Sequence, residues 1–167
     1  DLQYFRPQPP PGYEAKGVTV EGCILIGSEA PVAFVGADGA VVRYNTIYRP
    51  KRWVLRILQE TVGPGFVPCR NGDFTDNIIS FMTSEVAETA NMGDGTEPET
   101  FTFARNLWYA MDDPNMSSPS LPAREKDGVY GSDPMFLNPE GGDFMLKPES
   151  HAHGKGAYAL PDEGVGG

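Results

Sequence analysis

Four stretches of the chain read alike: Gly17-Val18-Thr19-Val20-Glu21-Gly22-Cys23-Ile24-Leu25, Ala40-Val41-Val42-Arg43-Tyr44-Asn45-Thr46-Ile47, Gly72-Asp73-Phe74-Thr75-Asp76-Asn77-Ile78-Ile79 and Phe101-Thr102-Phe103-Ala104-Arg105-Asn106-Leu107-Trp108. Each places a β-branched or aromatic residue three positions before a pivot and a large apolar residue two positions after it. The pivots are Cys23, Asn45, Asn77 and Asn106, separated by 22, 32 and 29 residues. Apolar residues at alternate positions turn one face of a strand inward. A repeat of this period marks a stacked architecture, and strand-like content makes it a β-solenoid. An asparagine at each bend can cap buried backbone groups, and asparagines stacked at a strand spacing of about 4.8 Å can bond one another. Cys23 stands at the end of that ladder as a small apolar substitute. The expected fold is all-β: a short right-handed parallel β-helix of about four to five coils, with long loops and little helix.

Working outward, residues 1–16 form a Pro-rich arm containing Arg6-Pro7-Gln8-Pro9-Pro10-Pro11-Gly12, a run that favours extended backbone and cannot join the middle of a sheet. Residues 17–130 hold the coils, with an irregular insert at 110–130 rich in proline and serine. That insert should wrap across a face or an end of the column. Residues 131–167 are a closing segment and tail.

Composition narrows the function. The 167 residues suit one domain. Twenty-three acidic against thirteen basic side chains give a net charge of −10 and a pI near 4.5. That balance argues against a general nucleic-acid binder or a ligand of anionic membranes, while leaving room for a local arginine to take an anion. Uninterrupted apolar stretches reach only about five residues, as at 23–27, too short for a membrane span. The chain opens on Asp1, so it is read as processed or as beginning within a longer protein. Two cysteines, Cys23 and Cys69, leave open whether they pair.

The closing run carries a family resemblance. Gly131-Ser132-Asp133-Pro134-Met135-Phe136-Leu137-Asn138-Pro139-Glu140-Gly141-Gly142-Asp143-Phe144-Met145-Leu146-Lys147-Pro148-Glu149-Ser150 resembles the ending of many bacterial β-helix proteins, Asp-Pro-x-Phe followed by Gly-Asp-Phe-x-Leu-x-Pro-x-Ser. With the repeats, it makes the chain similar to the C-terminal coils of the pectate-lyase-like superfamily, over roughly residues 17–156. Where relatives continue Pro-Ala-Ile-Gly, this chain has His151-Ala152-His153-Gly154. The resemblance implies a secreted protein, extracellular or periplasmic, associated with an acidic polysaccharide, in a superfamily where calcium is common. Relatives carry more coils and a cap over the N-terminal end. Three expectations follow: upstream coils belong to a longer protein, the arm is the cap, or two chains stack end to end. The first is preferred.

The strands after each loop read Val32-Ala33-Phe34, Leu55-Arg56-Ile57 and Ala90-Asn91-Met92, so Ala33, Arg56 and Asn91 should form one outward column. The resemblance implies that Arg56 lies where lyases set a cation against a uronate carboxylate, a group arginine clamps with two donors. The expected ligand-binding set is Arg56, Asn91, Arg52, Glu60 and Trp53, with Glu60 the expected ion-pair partner of Arg56 if the position is only structural. Trp53 and Tyr109 are candidate sugar platforms, whereas Trp108 belongs in the core. The carboxylate pairs Asp73/Asp76, Asp112/Asp113 and Glu97/Glu99 read as turns rather than a hydrolytic set, and no catalytic residue is assigned. His151 and His153 could face one side of an extended segment, but two nitrogens without a nearby cysteine are a weak basis for zinc. No cofactor or metal is expected, with calcium on Asp94, Thr96 and Glu97 as the one possibility. Two functions remain: a carbohydrate-associated β-helix of the lyase or hydrolase kind, or a non-catalytic assembly segment stacking coil ends.

Overall fold

The computed structural model describes residues 12–160; most of the Pro-rich run and residues 161–167 lie outside them. The described residues are nearly all β, with helix confined to short 3-10 turns such as Pro98–Thr100, Pro114–Met116 and Pro139–Gly141. The chain visits three parallel sheets repeatedly and in the same order. β2 (Thr19–Glu21), β6 (Val41–Arg43), β9 (Asp73–Thr75) and β12 (Thr102–Ala104) make a four-stranded sheet. β3 (Ile24–Ile26), β7 (Thr46–Tyr48), β10 (Ile78–Phe81), β13 (Leu107–Ala110) and β14 (Val129–Tyr130) make a five-stranded one. β4 (Val32–Val35), β8 (Leu55–Leu58) and β11 (Ala90–Met92) make the third. A short parallel pair, β1 (Ala15–Lys16) with β5 (Ala37–Asp38), lies beside them. This layout is compatible with a β-helix-like solenoid.

Register runs straight through the repeats. Val20, Val42, Phe74 and Phe103 align, as do Leu25, Ile47, Ile79 and Trp108. Their inward side chains, from Val42 and Ile47 onward, are buried in one core with Phe34, Leu55 and Ile57. Between each pair of strands the backbone turns through a left-handed residue immediately before the pivot: Gly22, Tyr44, Asp76 and Arg105, with φ between 53° and 67°. Three of these are not glycine, a conformation costing about 1–2 kcal/mol per residue, so the stack must hold it.

The ladder supplies that hold. Asn45 Oδ1 accepts from Cys23 N at 3.0 Å, Asn77 Oδ1 from Asn45 N at 2.9 Å, and Asn106 Oδ1 from Asn77 N at 3.0 Å. Each asparagine amide also donates back to a backbone carbonyl, Val20, Val42 and Phe74 in turn. All three asparagines are fully buried, so these bonds form away from competing water.

The insert closes the last repeat. Leu121 and Ala123 pack against the core, Ser120 N donates to Thr89 Oγ1, and the Glu125 carboxylate takes the next place in the ladder. The closing segment forms an antiparallel hairpin, β15 (Phe136–Asn138) with β16 (Asp143–Leu146). Phe136 and Phe144 build a second core with Tyr48, Ile78 and Leu107, covering the outer face of the five-stranded sheet. The first repeat is bare by comparison: all of β2 is exposed, as are Val18, Ile24 and Ile26.

Candidate functional site

The outer three-stranded sheet aligns Ala33, Arg56 and Asn91 on neighbouring strands, with Val32/Leu55/Ala90 and Phe34/Ile57/Met92 on either side. Leu55 and Ile57 are completely buried, which obliges Arg56 between them to point outward. Arg56 Nε donates to Asn91 Oδ1 at 2.9 Å, and its guanidinium carbon lies 4.2 Å from the centre of the Trp53 ring. Arg52 approaches the same ring at 4.0 Å. Two cations on one indole gain both cation–π attraction and contact area.

The loop before β8 is tied to both neighbours, which fixes Trp53. Lys51 N and Trp53 N donate to Ser28 O and Glu29 O of the previous repeat, and Ala87 N of the next one donates to Arg52 O. Trp53 is consequently buried, at 8% exposure, and its Nε1 donates to Glu88 Oε1 at 2.9 Å. That corrects its expected use as an open sugar platform: the arginines, rather than a ligand, occupy its ring. Tyr109, the other platform candidate, is half-buried on the far sheet.

Glu88 is the residue that sequence reasoning missed. Its Oε1 also accepts from Asn91 Nδ2 at 2.8 Å, so one carboxylate orients both the indole and the amide that holds Arg56. Its place three residues before Asn91 bears no repeat signature. Glu60, the expected partner of Arg56, is exposed, and among the described residues no carboxylate comes within 4.0 Å of the Arg56 guanidinium. The other cations of that stretch are committed. Arg43 pairs with Glu21, Arg52 with Glu29, and Arg49 and Lys51 share Glu85. The hydrogen bonds of Arg49 and Lys51 hold the Glu85 carboxyl down to about 2. Arg56 therefore presents its terminal amino groups from a fixed position, an arrangement suited to taking a carboxylate.

Cys23 and Cys69 are free thiols, and burial pushes the Cys69 thiol up, away from reactivity. In the loop considered for calcium, Thr96 Oγ1 donates to Gly93 O and Glu97 N to Cys69 O. Among the described residues no three His, Cys, Asp or Glu side chains gather as metal ligands. Asp76 bonds Arg105 through two 2.8 Å contacts, and Asp112 accepts from Thr83 and Ser84, so both serve turns. No helix among the described residues is long and apolar enough to cross a membrane. No family model, no curated protein and no solved structure matches the chain.

Proposed function

We propose that the chain is a right-handed parallel β-helix segment, pectate-lyase-like in its coils, that binds an acidic polysaccharide outside the cell or in the periplasm. Arg56 on the outer three-stranded sheet is the anchor for a uronate carboxylate, and Asn91 and Arg52 complete the contact surface. The observation that carries this reading is the Arg56 guanidinium, oriented by Asn91 and Trp53 while its neighbouring cations are all paired with carboxylates. Binding, rather than bond cleavage, is what these groups supply.

Calorimetric titration with alginate, pectate and chondroitin oligosaccharides tests it. One of them should bind, with Arg56→Ala weakening it by at least about tenfold, as expected for losing one charge-assisted contact of 1.5–3 kcal/mol. Equal binding by the variant, or no binding to any of the three, overturns the reading. A second reading rests on a different observation. The first repeat exposes Val18, Ile24 and Ile26 beside edge strands that have no further partner among the described residues. That surface suits an assembly segment stacking on another chain.

A further inference from the structure

On the outer face of the five-stranded sheet, beneath the closing segment, lies a cleft of about 340 Å³. Its floor is a single row of side chains in register on neighbouring strands, Tyr48, Ser80 and Tyr109. Asp133, Phe136 and Lys147 from the closing segment line the opposite side. Ser80 is 1% exposed, and its Oγ has no hydrogen-bond partner. Leaving a buried hydroxyl unpaired costs about 1–3 kcal/mol, and native proteins pair nearly all such groups. An alanine there would carry no such cost. The tyrosines on either side illustrate the usual solution. Tyr48 donates to Glu140 Oε1 at 2.7 Å, and burial, together with the Asp133 carboxylate beside it, pushes the Tyr109 hydroxyl up. Ser80 alone in the row is left over.

The chemistry of the walls selects a ligand. Asp133 and Lys147 bring one charge of each sign, so the cleft favours neither an anion nor a cation. Tyr48, Tyr109 and Phe136 offer aromatic surface, while the serine and tyrosine hydroxyls, the carboxylate and the ammonium offer both donors and acceptors at close range. A sugar ring has this dual character, with C–H groups for an aromatic wall and hydroxyls that give and receive hydrogen bonds. Ligand pockets begin at about 300 Å³, so the space suits one ring. We propose that this cleft binds a single neutral sugar ring, with the Ser80 hydroxyl as its buried anchor. The site lies on a different sheet from Arg56 and takes a different class of ligand.

The test is an amide chemical-shift titration of the full chain with the methyl α- and β-pyranosides of glucose, galactose and mannose. At least one should shift Ser80, Tyr109 and Met135 saturably. Ser80→Ala should weaken that binding by at least about tenfold, a loss of 1.4 kcal/mol, while leaving the melting temperature unchanged or higher. Lys147→Met, at the exposed rim, should weaken binding without touching the floor, and Arg56→Ala should leave it intact. The proposal is overturned if none of the glycosides shifts these amides, or if Ser80→Ala binds as well as the parent. It is equally overturned if Ser80→Ala lowers the melting temperature, which would assign the hydroxyl to a structural water. Because the probes are neutral, failure here leaves the Arg56 reading standing, and the reverse also holds.

Discussion

Glu125 ends the asparagine ladder by standing in for an asparagine. Its Oε1 accepts from Asn106 N and Nδ2, and its Oε2 from Trp108 Nε1 and the Tyr130 hydroxyl. The pairing of Val129 with Leu107 puts Gly128 opposite Asn106, in the next pivot position. A Cβ on Gly128 would lie 2.6 Å from Glu125 Oε2, so the glycine clears the slot that the carboxylate fills. Glu125→Ala strands several buried donors and should destabilise the protein by about 2–4 kcal/mol, read by urea denaturation. Glu125→Gln, which keeps one acceptor oxygen, should cost less, and Gly128→Ala should fall between wild type and Glu125→Ala. Equal stability of Glu125→Ala and wild type would show that the ladder needs no terminator. A different carboxylate contributes to the response to acid. Glu85, held down to about 2 from an ordinary 4.5 by Arg49 and Lys51, titrates lower folded than unfolded. Its contribution is therefore present above pH 4.5 and is lost as pH falls toward 2. Glu85→Gln should flatten the fall of stability across that window, and an unchanged slope would contradict it.

At the scale of elements, what was legible is what repeats. The inward apolar residues and the asparagine pivots answer to one geometric demand made at every repeat, so Val42, Phe74 and Phe103 declare themselves by position. The outward column Ala33, Arg56 and Asn91 follows from alternation alone. The left-handed residue at each bend was not legible, because Gly22, Tyr44, Asp76 and Arg105 share a backbone conformation and no side-chain chemistry. Glu88 and Glu125 were missed for a related reason: each acts once, reaching a partner that no period predicts. Trp53 was misjudged because its burial comes from loops of the preceding and following repeats meeting over it. The Asp-Pro-x-Phe and Gly-Asp-Phe-x-Leu pattern within 131–150 marked a closing segment, and only packing reveals that its hairpin roofs a sheet. Phe144 is 1% exposed and stacks edge-on with both Tyr48 and Phe136, at 5.2 Å in each case. Phe144→Ala should cost about 3–5 kcal/mol. It should also raise amide exchange first in β7, β10 and the hairpin, leaving the Val42–Phe74–Phe103 core protected until global unfolding. Uniform loss of protection would mean that hairpin and sheets unfold as one unit.

The molecule as a whole has unlike ends. Beyond the last repeat, Leu121, Ala123 and Glu125 shut the core and the ladder. At the first repeat, Val20 occupies an inward position yet is 37% exposed, because no described strand lies over it, and Ile26, in register with the outward Tyr48 on edge strand β3, is exposed as well. Head-to-tail stacking needs both ends open, so it would have to displace the insert. Stacking first repeat against first repeat needs only the bare end twice, and a two-fold contact of that kind closes on itself. If this surface associates, the product is therefore a dimer and not a filament. Charge opposes it: each copy carries −10, and screening shortens that repulsion to about 8 Å at physiological salt. Light scattering should accordingly show a mass rising from 18.1 kDa toward twice that value with protein concentration, and more readily with added salt. Val20→Lys with Ile26→Lys adds like charge to both faces of the contact and should return the monomer at every concentration. Both side chains are partly or largely solvated already, so the melting temperature of dilute protein should change little. A series of ever larger species would overturn the two-fold contact, and a mass constant at 18.1 kDa would remove the assembly reading altogether.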